Sequence, residues 1–195
     1  MSHDKPIPSP APELWKDGPA IETIIARMAD ELRDLIQARA IEAPLMIGIH
    51  TGGVWVADRL HRALDLSEPL GHLDISFYRD DFTRIGMHPQ VRPSYLPLGV
   101  DDRHLILVDD VLQSGRTIRA ALNVLFDYGR PASVILATLA ERDGRELPIE
   151  PNVVGLHVTL APGQQIKLSG PEPLLLLRGA TANAPSQINQ DRAPR

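Results

Sequence analysis

Cysteine is absent from this chain of 195 residues. Disulfides, thiolate zinc sites and cysteine nucleophiles are therefore excluded, and nothing in the composition requires an oxidising compartment. No run approaches the roughly 18 apolar residues that a membrane-spanning helix needs. The N-terminus also lacks the basic region and apolar stretch of a secretory leader. We therefore expect a protein of the reducing cytoplasm that has no membrane partner.

Positive charge is also in short supply. The chain has 20 Lys and Arg against 25 Asp and Glu, which gives a net charge of −5. This balance weighs against broad attraction to nucleic acid, which depends on neutralising phosphates. The 7 histidines are scattered along the sequence, without a pair four residues apart. Because histidine pairs at that spacing are a common metal-binding pattern, we predict no protein-held metal site.

The apolar residues that are present follow two periods in alternation. Helical spacing begins at Ile21, Val56 and Ile118, and continuous apolar runs lie between these segments. Strands that alternate with helices predict an α/β domain with a mostly parallel sheet and helices on both faces. Later short runs separated by Pro and Gly predict a small β lobe. We place the domain at residues 20–179, with disordered tails at 1–19 and 180–195. The predicted strands are Leu45–Ile49, a half-buried strand in which Leu73, Ile75 and Phe77 alternate with polar residues, Leu105–Val108, Val134–Leu139, Val153–Leu160, Gln165–Leu168 and Leu174–Leu177.

An acidic pair, Asp109 and Asp110, follows one of these strands, and Ser114–Thr117 begins the next helix. Ligands of open α/β sheets bind beyond the carboxyl ends of the strands, and a helix N-terminus favours phosphate. Two carboxylates beside a phosphate are unfavourable unless they serve hydroxyl groups or a metal-bound part of the ligand. A sugar phosphate satisfies both conditions. The alternative is structural, with Asp110 as a solvated turn residue and Ser114 as a helix cap.

Two familiar phosphate motifs are missing at this place. The segment Ser114–Thr117 lacks the Gly-Lys-Ser/Thr ending of a nucleotide phosphate loop, and no G-x-G-x-x-G follows a strand. A nucleoside triphosphatase or a dehydrogenase is therefore disfavoured.

The segment Val108–Thr117 resembles the 5-phosphoribosyl-1-diphosphate (PRPP) motif of type I phosphoribosyltransferases. The resemblance extends to the pyrimidine operon regulator and uracil phosphoribosyltransferase family over roughly residues 21 to 177. It implies the type I phosphoribosyltransferase fold, a central mostly parallel sheet flanked by helices with a small β hood. It also implies an enzyme that makes uridine 5-phosphate (UMP) and pyrophosphate from uracil and PRPP. The further segments that carry it are 74–81, 115–121, 129–131 and 145–149.

The resemblance assigns roles to individual residues. Asp109 and Asp110 would hold the ribose hydroxyls and, with Arg79 of the flap, form the catalytic group. The 5-phosphate would be bound by Gln113, Ser114, Gly115, Arg116 and Thr117. The pyrophosphate loop would be His50, Thr51, Gly52 and Gly53, and the flap would begin at Tyr78, Arg79, Asp80 and Asp81. The base would lie beside Glu141, Arg142 and the backbone of Val153, Val154 and Gly155.

The implied chemistry needs magnesium that is held by the substrate, with Asp109 and Asp110 nearby. Uracil N1 attacks C1 of the ribose as pyrophosphate leaves, and the transition state has oxocarbenium character. Purine-specific relatives usually place a carboxylate at position 113, where this chain has Gln113. The resemblance therefore favours a pyrimidine over a purine.

Two positions depart from the family pattern. Many members carry a basic residue at the place of Gly52 and another just after Gly155, where this chain has Leu156. These changes remove positive charge from the pyrophosphate loop and from a region that could bind RNA. An alternative function is an attenuator that senses UMP or PRPP, binds pyrimidine-operon messenger RNA and has weak or no catalysis. Its candidate contacts are Arg119, Arg130 and Arg145.

A titration with leader RNA at several salt concentrations separates the two functions. Weak affinity that does not respond to uridylate would dismiss regulation through RNA. Control of pyrimidine genes through a protein partner is a further alternative that the sequence leaves open. The resemblance also implies a homodimer or a larger homo-oligomer.

Overall fold

The computed structural model describes residues 11–75 and 94–180. Strands and helices alternate through most of this part, as the apolar periods predict. The elements are β1 (Glu13–Lys16), α1 (Gly18–Ala38), β2 (Leu45–Ile49), α2 (Gly52–Leu64), β3 (Gly71–Leu73), β4 (His104–Leu112), α3 (Arg116–Tyr128), β5 (Ser133–Arg142), β6 (Val153–Val158), β7 (Gln164–Ser169) and β8 (Leu175–Ala180).

The central sheet has five strands in the order β3-β2-β4-β5-β6. Every neighbouring pair in it is parallel, with Gly48 beside Val108 and Val108 beside Ala137. The carboxyl ends of β2, β4 and β5 therefore meet at one edge. The prediction of an α/β domain with a parallel sheet is confirmed.

Helices cover both faces of this sheet. Side chains of β4 alternate between the faces, because successive residues of a strand point in opposite directions. Ile106 and Val108 pack with α1 and α2, whereas Leu105 and Leu107 pack with α3. These two hydrophobic clusters, one on each face, position α2 and α3 so that both helices begin at the carboxyl ends of the central strands.

A three-stranded sheet in the order β1-β8-β7 forms the hood. Its strands are antiparallel, and Glu13 of β1 lies opposite Arg178 of β8. The first 19 residues were predicted to be a disordered tail, and this is wrong for residues 13–16. The domain also extends to Ala180, the last residue of β8. Backbone pairing with β8 orders this short segment, although it has little apolar period of its own.

One arginine connects the hood to the helices. The side chain of Arg59 on α2 is only 9% exposed and forms ion pairs with Glu22 of α1 and Glu172 before β8. It also donates to the carbonyl of Pro171 at 2.8 Å. Because these partners come from α1 and from the segment before β8, Arg59 holds the hood against the helical layer.

The ends of the helices follow local rules. Asp17 caps α1 by accepting a hydrogen bond from the Ala20 amide at 3.0 Å. Gly129 ends α3, as its position after the apolar period predicted. Among the helices of residues 11–75 and 94–180, none combines the length and the apolar character that crossing a membrane requires.

Candidate functional site

The acidic pair lies within a strand rather than in the loop that was predicted to follow Val108. Strand β4 continues to Leu112, with Asp109 paired to Thr138 and Val111 paired to Ala140 of β5. The ladder uses backbone groups, so the fall in hydropathy at Asp109 does not end it. This extension holds both carboxylates on a rigid element at the carboxyl edge of the sheet.

The two carboxylates have different surroundings. Asp109 is 4% exposed, and its Oδ1 accepts a hydrogen bond from the Asp110 amide at 3.0 Å. Asp110 is half-buried and lines an open cleft. Asp110 is therefore the member of the pair that is more accessible to a ligand, while Asp109 supports the backbone between them.

The predicted phosphate loop turns directly into α3. Gly115 has a φ of 89° and precedes the first helical residue, Arg116. This left-handed conformation favours glycine, which lacks the Cβ that would clash there. Ser114 Oγ accepts a hydrogen bond from the Arg116 amide at 3.2 Å. A cleft of about 420 Å³ opens beside the loop, lined by Gln113–Thr117 together with Arg119, Asn123, Arg142 and Gln165.

The predicted pyrophosphate loop turns from β2 into α2 on the neighbouring strand. Gly52 and Gly53 are buried, and the backbone there lies directly against β4. A Cβ placed on Gly52 would lie 2.3 Å from Oδ2 of Asp110, and one on Gly53 would lie 2.6 Å from the carbonyl oxygen of Val108. The two glycines therefore allow this loop to touch the acidic strand. His50 precedes them, with its ring 5.5 Å from that of His72 in an edge-to-face contact.

The loops after β2 and β4 share one cleft with the hood. It is lined by His50, Thr51 and Gly52 from the first loop, by the acidic pair, and by Ile166–Leu168 of β7. Thr117 and Ile166 also line the cleft beside the phosphate loop. The two clefts are therefore contiguous, and a ligand with phosphates at both ends of a sugar fits their arrangement.

The residues predicted to lie beside the base are divided. Glu141, Arg142 and Val154 line a third cleft next to the carboxyl ends of β5 and β6. Val153 is 3% exposed, and its side chain packs in the core with α1. Gly155 packs against the Leu139 carbonyl, since a Cβ there would lie 2.3 Å from it. Only backbone atoms of Val153 and Gly155 can therefore contact a ligand.

Arg142 joins the clefts on either side of the end of β5. Its Nη2 donates to the Gln164 carbonyl at 3.4 Å, whereas its buried Nε has no hydrogen-bond partner among residues 11–75 and 94–180. Arg142 therefore borders both clefts, but its Nε is enclosed by protein and is not open to either of them.

The predicted flap residues Tyr78, Arg79, Asp80 and Asp81 lie outside the described residues. The strand that enters this segment and the chain that leaves it are joined, because Asp74 N donates to Ser94 Oγ at 3.1 Å. His72 and Tyr95 also exchange backbone hydrogen bonds at 2.8 Å.

Sequence reasoning missed a loop that supports the phosphate loop from behind. Arg145 donates to the Gln113 carbonyl at 2.8 Å, and the amides of Glu146 and Leu147 both donate to the Ser114 carbonyl at 3.0 Å. The available signal was the segment 145–149, which entered only as part of the family resemblance. Its spacing to the phosphate loop in sequence gives no indication of these contacts.

In the part of the chain that the structure describes, no group of three or more His, Cys, Asp or Glu side chains is arranged to hold a metal ion. The carboxylates that line the cleft beside the predicted pyrophosphate loop are those of the acidic pair. One or two carboxylates are sufficient for magnesium when substrate phosphates supply the other ligands. The donors present therefore fit a magnesium ion that arrives with a phosphorylated substrate.

Comparison with known proteins agrees with this geometry. Residues 15–164 match the phosphoribosyl transferase domain family. The chain is 62% identical to the bifunctional protein PyrR of Nitrosococcus oceani over 156 residues, covering 79% of this chain and 88% of the relative. It is 61% identical to the bifunctional protein PyrR of Pseudomonas paraeruginosa over 155 residues, covering 80% and 91%.

Solved structures show the same fold at low identity. The hypoxanthine phosphoribosyltransferase of Trypanosoma cruzi superposes with a TM-score of 0.65 at 18% identity, covering 87% of this chain and 97% of that chain. The parallel sheet with flanking helices is thus the type I phosphoribosyltransferase fold. The chain belongs to the bifunctional PyrR proteins of the phosphoribosyltransferase family, which are pyrimidine operon regulators with uracil phosphoribosyltransferase activity.

Proposed function

We propose that uracil phosphoribosyl transfer takes place in the two contiguous clefts at the carboxyl edge of the central sheet. The observation that carries this proposal is the contact between the pyrophosphate loop, the acidic pair and the start of α3 around one space. The 5-phosphate of PRPP binds to Gln113–Thr117, the ribose hydroxyls bind to the acidic pair, and the pyrophosphate lies on His50–Gly53.

Each end of the substrate is bound largely by backbone groups. Amides at the N-terminus of α3 and the positive end of the helix dipole favour the 5-phosphate. The His50–Gly53 loop carries no lysine or arginine, so backbone amides at the start of α2 and the Thr51 hydroxyl are its donors for the pyrophosphate. In this site, hydrogen bonds from the loop to the pyrophosphate therefore take the place of the positive charge that is missing at Gly52.

The reaction separates charge between the sugar and the leaving group. Uracil N1 attacks C1 of the ribose as the bond to pyrophosphate breaks, the N1 proton passes to the released pyrophosphate or to water, and no covalent intermediate with the protein forms. The Asp110 carboxylate stabilises the positive charge that develops on the sugar ring. When magnesium is bound with PRPP, it neutralises the charge on the departing pyrophosphate. Asp109 and Asp110, which line the cleft, would hold that ion together with the substrate phosphates.

The base lies next to the end of β5, where Arg142 lines the clefts on both sides of the strand. Gln113 at the entrance to the phosphate loop places an amide where purine-specific relatives have a carboxylate. A neutral side chain there suits a pyrimidine, because no purine ring nitrogen has to be stabilised.

A base panel tests the proposal. Uracil, orotate, hypoxanthine and adenine are each incubated with PRPP and magnesium, and pyrophosphate release is measured. We expect release with uracil and little with the other bases, with UMP as the nucleotide formed. Release that is equal for hypoxanthine and uracil, or absent with uracil, would contradict the assignment.

Two of the three arginines that are candidates for RNA contacts already bind other groups of the protein in this structure. Arg145 binds the Gln113 carbonyl and Glu141, and Arg130 donates to the Phe126 carbonyl and lies over its ring. Arg119 and Arg130 are exposed, and Arg119 also lines the phosphate cleft. We therefore propose catalysis in the cytoplasm as the main activity. By likeness to the family we also propose a homodimer or larger assembly, which light scattering tests.

A further inference from the structure

Two successive carbonyls of the phosphate loop face the loop 143–149 rather than the ligand. Arg145 Nη1 donates to the Gln113 carbonyl at 2.8 Å. The Ser114 carbonyl accepts from two backbone amides, those of Glu146 and Leu147, each at 3.0 Å. The whole turn before α3 is thus held from one side.

The orientation of these carbonyls sets that of the amides which follow them. In a planar trans peptide the C=O and the next N–H point in opposite directions. Fixing the Gln113 carbonyl therefore directs the Ser114 amide to the other side of the turn, and fixing the Ser114 carbonyl does the same for the Gly115 amide. That side is the cleft where the 5-phosphate binds in the proposed function.

Arg145 is itself held in place. Its Nη2 forms an ion pair with Oε1 of Glu141, and Oε2 of the same carboxylate lies 3.0 Å from His157 Nδ1. The side chains of Arg145 and Glu141 are 24% and 22% exposed. Because this pair is more enclosed than a typical surface ion pair, it fixes the guanidinium more firmly than solvent-exposed partners would.

Close packing keeps the same loop against Gln113. Gly144 has a φ of 107°, and a Cβ there would lie 3.1 Å from Nε2 of Gln113. A second ion pair, Arg116 Nε to Glu146 at 2.7 Å, joins the two loops, but its side chains are 57% and 53% exposed. Of the two ion pairs, the one between Arg145 and Glu141 is therefore the more enclosed.

We propose that Arg145, held by Glu141, is a positioning residue for the 5-phosphate site. It orients the Ser114 amide toward the phosphate without touching the substrate. The inference rests on the proposed function, since it assumes that Gln113–Thr117 binds the 5-phosphate. It also changes the role of Glu141, which was predicted to lie beside the base, and of Arg145, which was a candidate contact for RNA.

The test compares Arg145→Gln with the wild-type chain. Loss of a charged hydrogen bond is expected to raise the KM for PRPP and the Kd for UMP by roughly 10-fold. The Kd for pyrophosphate is expected to stay unchanged, because that ligand binds to His50–Gly53. Arg62→Gln is the matched control, since Arg62 forms an exposed ion pair with Asp58 on α2. It is expected to behave like the wild type.

The variant Glu141→Gln provides an independent measurement if Arg145→Gln does not fold, as judged by thermal melting. It keeps the size of the side chain and removes its charge. We therefore expect the KM for PRPP and the Kd for UMP to rise as in Arg145→Gln but by a smaller factor, with the Kd for pyrophosphate unchanged. A wild-type chain that makes no UMP overturns the proposed function itself. A wild-type chain that makes UMP, with variants that bind PRPP and UMP normally, overturns the role of Arg145. Equal weakening of pyrophosphate also overturns it, because the effect would then not be local.

Discussion

Replacing Asp110 with asparagine is expected to lower kcat/KM for PRPP by roughly 10²–10³-fold, the usual cost of removing one electrostatic contact to a transition state. Asparagine has nearly the same shape and keeps one oxygen acceptor for a ribose hydroxyl. It removes the negative charge beside the sugar, where positive charge develops as pyrophosphate leaves. Steady-state kinetics with uracil in excess measure this effect directly.

Asp127→Asn is the matched control for that substitution. Asp127 is exposed near the carboxyl end of α3, whereas the proposed site lies at the amino end of the same helix. It loses the same charge from the chain, so any general effect of net charge appears in both variants. Activity of Asp110→Asn within threefold of the control would show that this carboxylate is not part of the reaction.

The second large effect is expected at Gly52. In Gly52→Ala the new Cβ would lie 2.3 Å from Oδ2 and 2.8 Å from Cβ of Asp110. Neither distance is tolerable, so the pyrophosphate loop or the carboxylate must move. Misplacement of about 1 Å in a catalytic group costs roughly 10²-fold in rate. We expect a loss of that order in kcat/KM for PRPP.

Gly99→Ala separates this local effect from a general cost of replacing glycine. A Cβ on Gly99 would meet no atom within 4 Å, so that variant is expected to keep full activity. Gly52→Lys extends the same experiment, because it restores the positive charge that many family members carry. We expect it to be impaired like the alanine variant. Tighter PRPP binding in Gly52→Lys would show that charge, and not the contact with Asp110, governs this position.

Much of the fold follows from apolar periods that are local in sequence. The helices beginning near Ile21, Val56 and Ile118 and the buried runs between them correspond to α1, α2, α3 and their neighbouring strands. These segments are predictable because each helix buries one continuous face and each central strand buries both of its faces. Phe126 is an exception: it continues the apolar period of α3, yet it is 45% exposed. The apolar period identifies which face of a helix is buried. It does not show how far along the helix the sheet covers that face, because this depends on the tertiary structure.

The elements that sequence reasoning missed depend on distant partners. Strand β1 is only four residues long, and its partner β8 lies at the other end of the domain. Strand β4 continues through Asp109 because β5 supplies the ladder beside it. Neither feature has a signal in its own residues. Both features form through backbone hydrogen bonds to a neighbouring strand, and these bonds depend little on side-chain hydropathy.

The site shows the same division. The order of acidic pair, Gly115 and helix start is contiguous in sequence, so a phosphate site at the start of α3 could be predicted from it. The contact of Gly52 with Asp110 joins the start of α2 to strand β4, nearly 60 residues further along the chain, and only the structure reveals it. The support from Arg145 likewise crosses from the loop after β5 to the loop after β4. The first contact fixes the predicted pyrophosphate loop, which has no basic residue, against β4.

The place of the nucleotide can be seen in a crystal structure of the chain with UMP. We expect the 5-phosphate to accept hydrogen bonds from the backbone amides between Ser114 and Thr117. We expect the ribose hydroxyls to bind the carboxylates of Asp109 and Asp110, with the uracil ring near Arg142. UMP bound elsewhere, or with its phosphate on His50–Gly53 instead, would show that the 5-phosphate site is not at the start of α3.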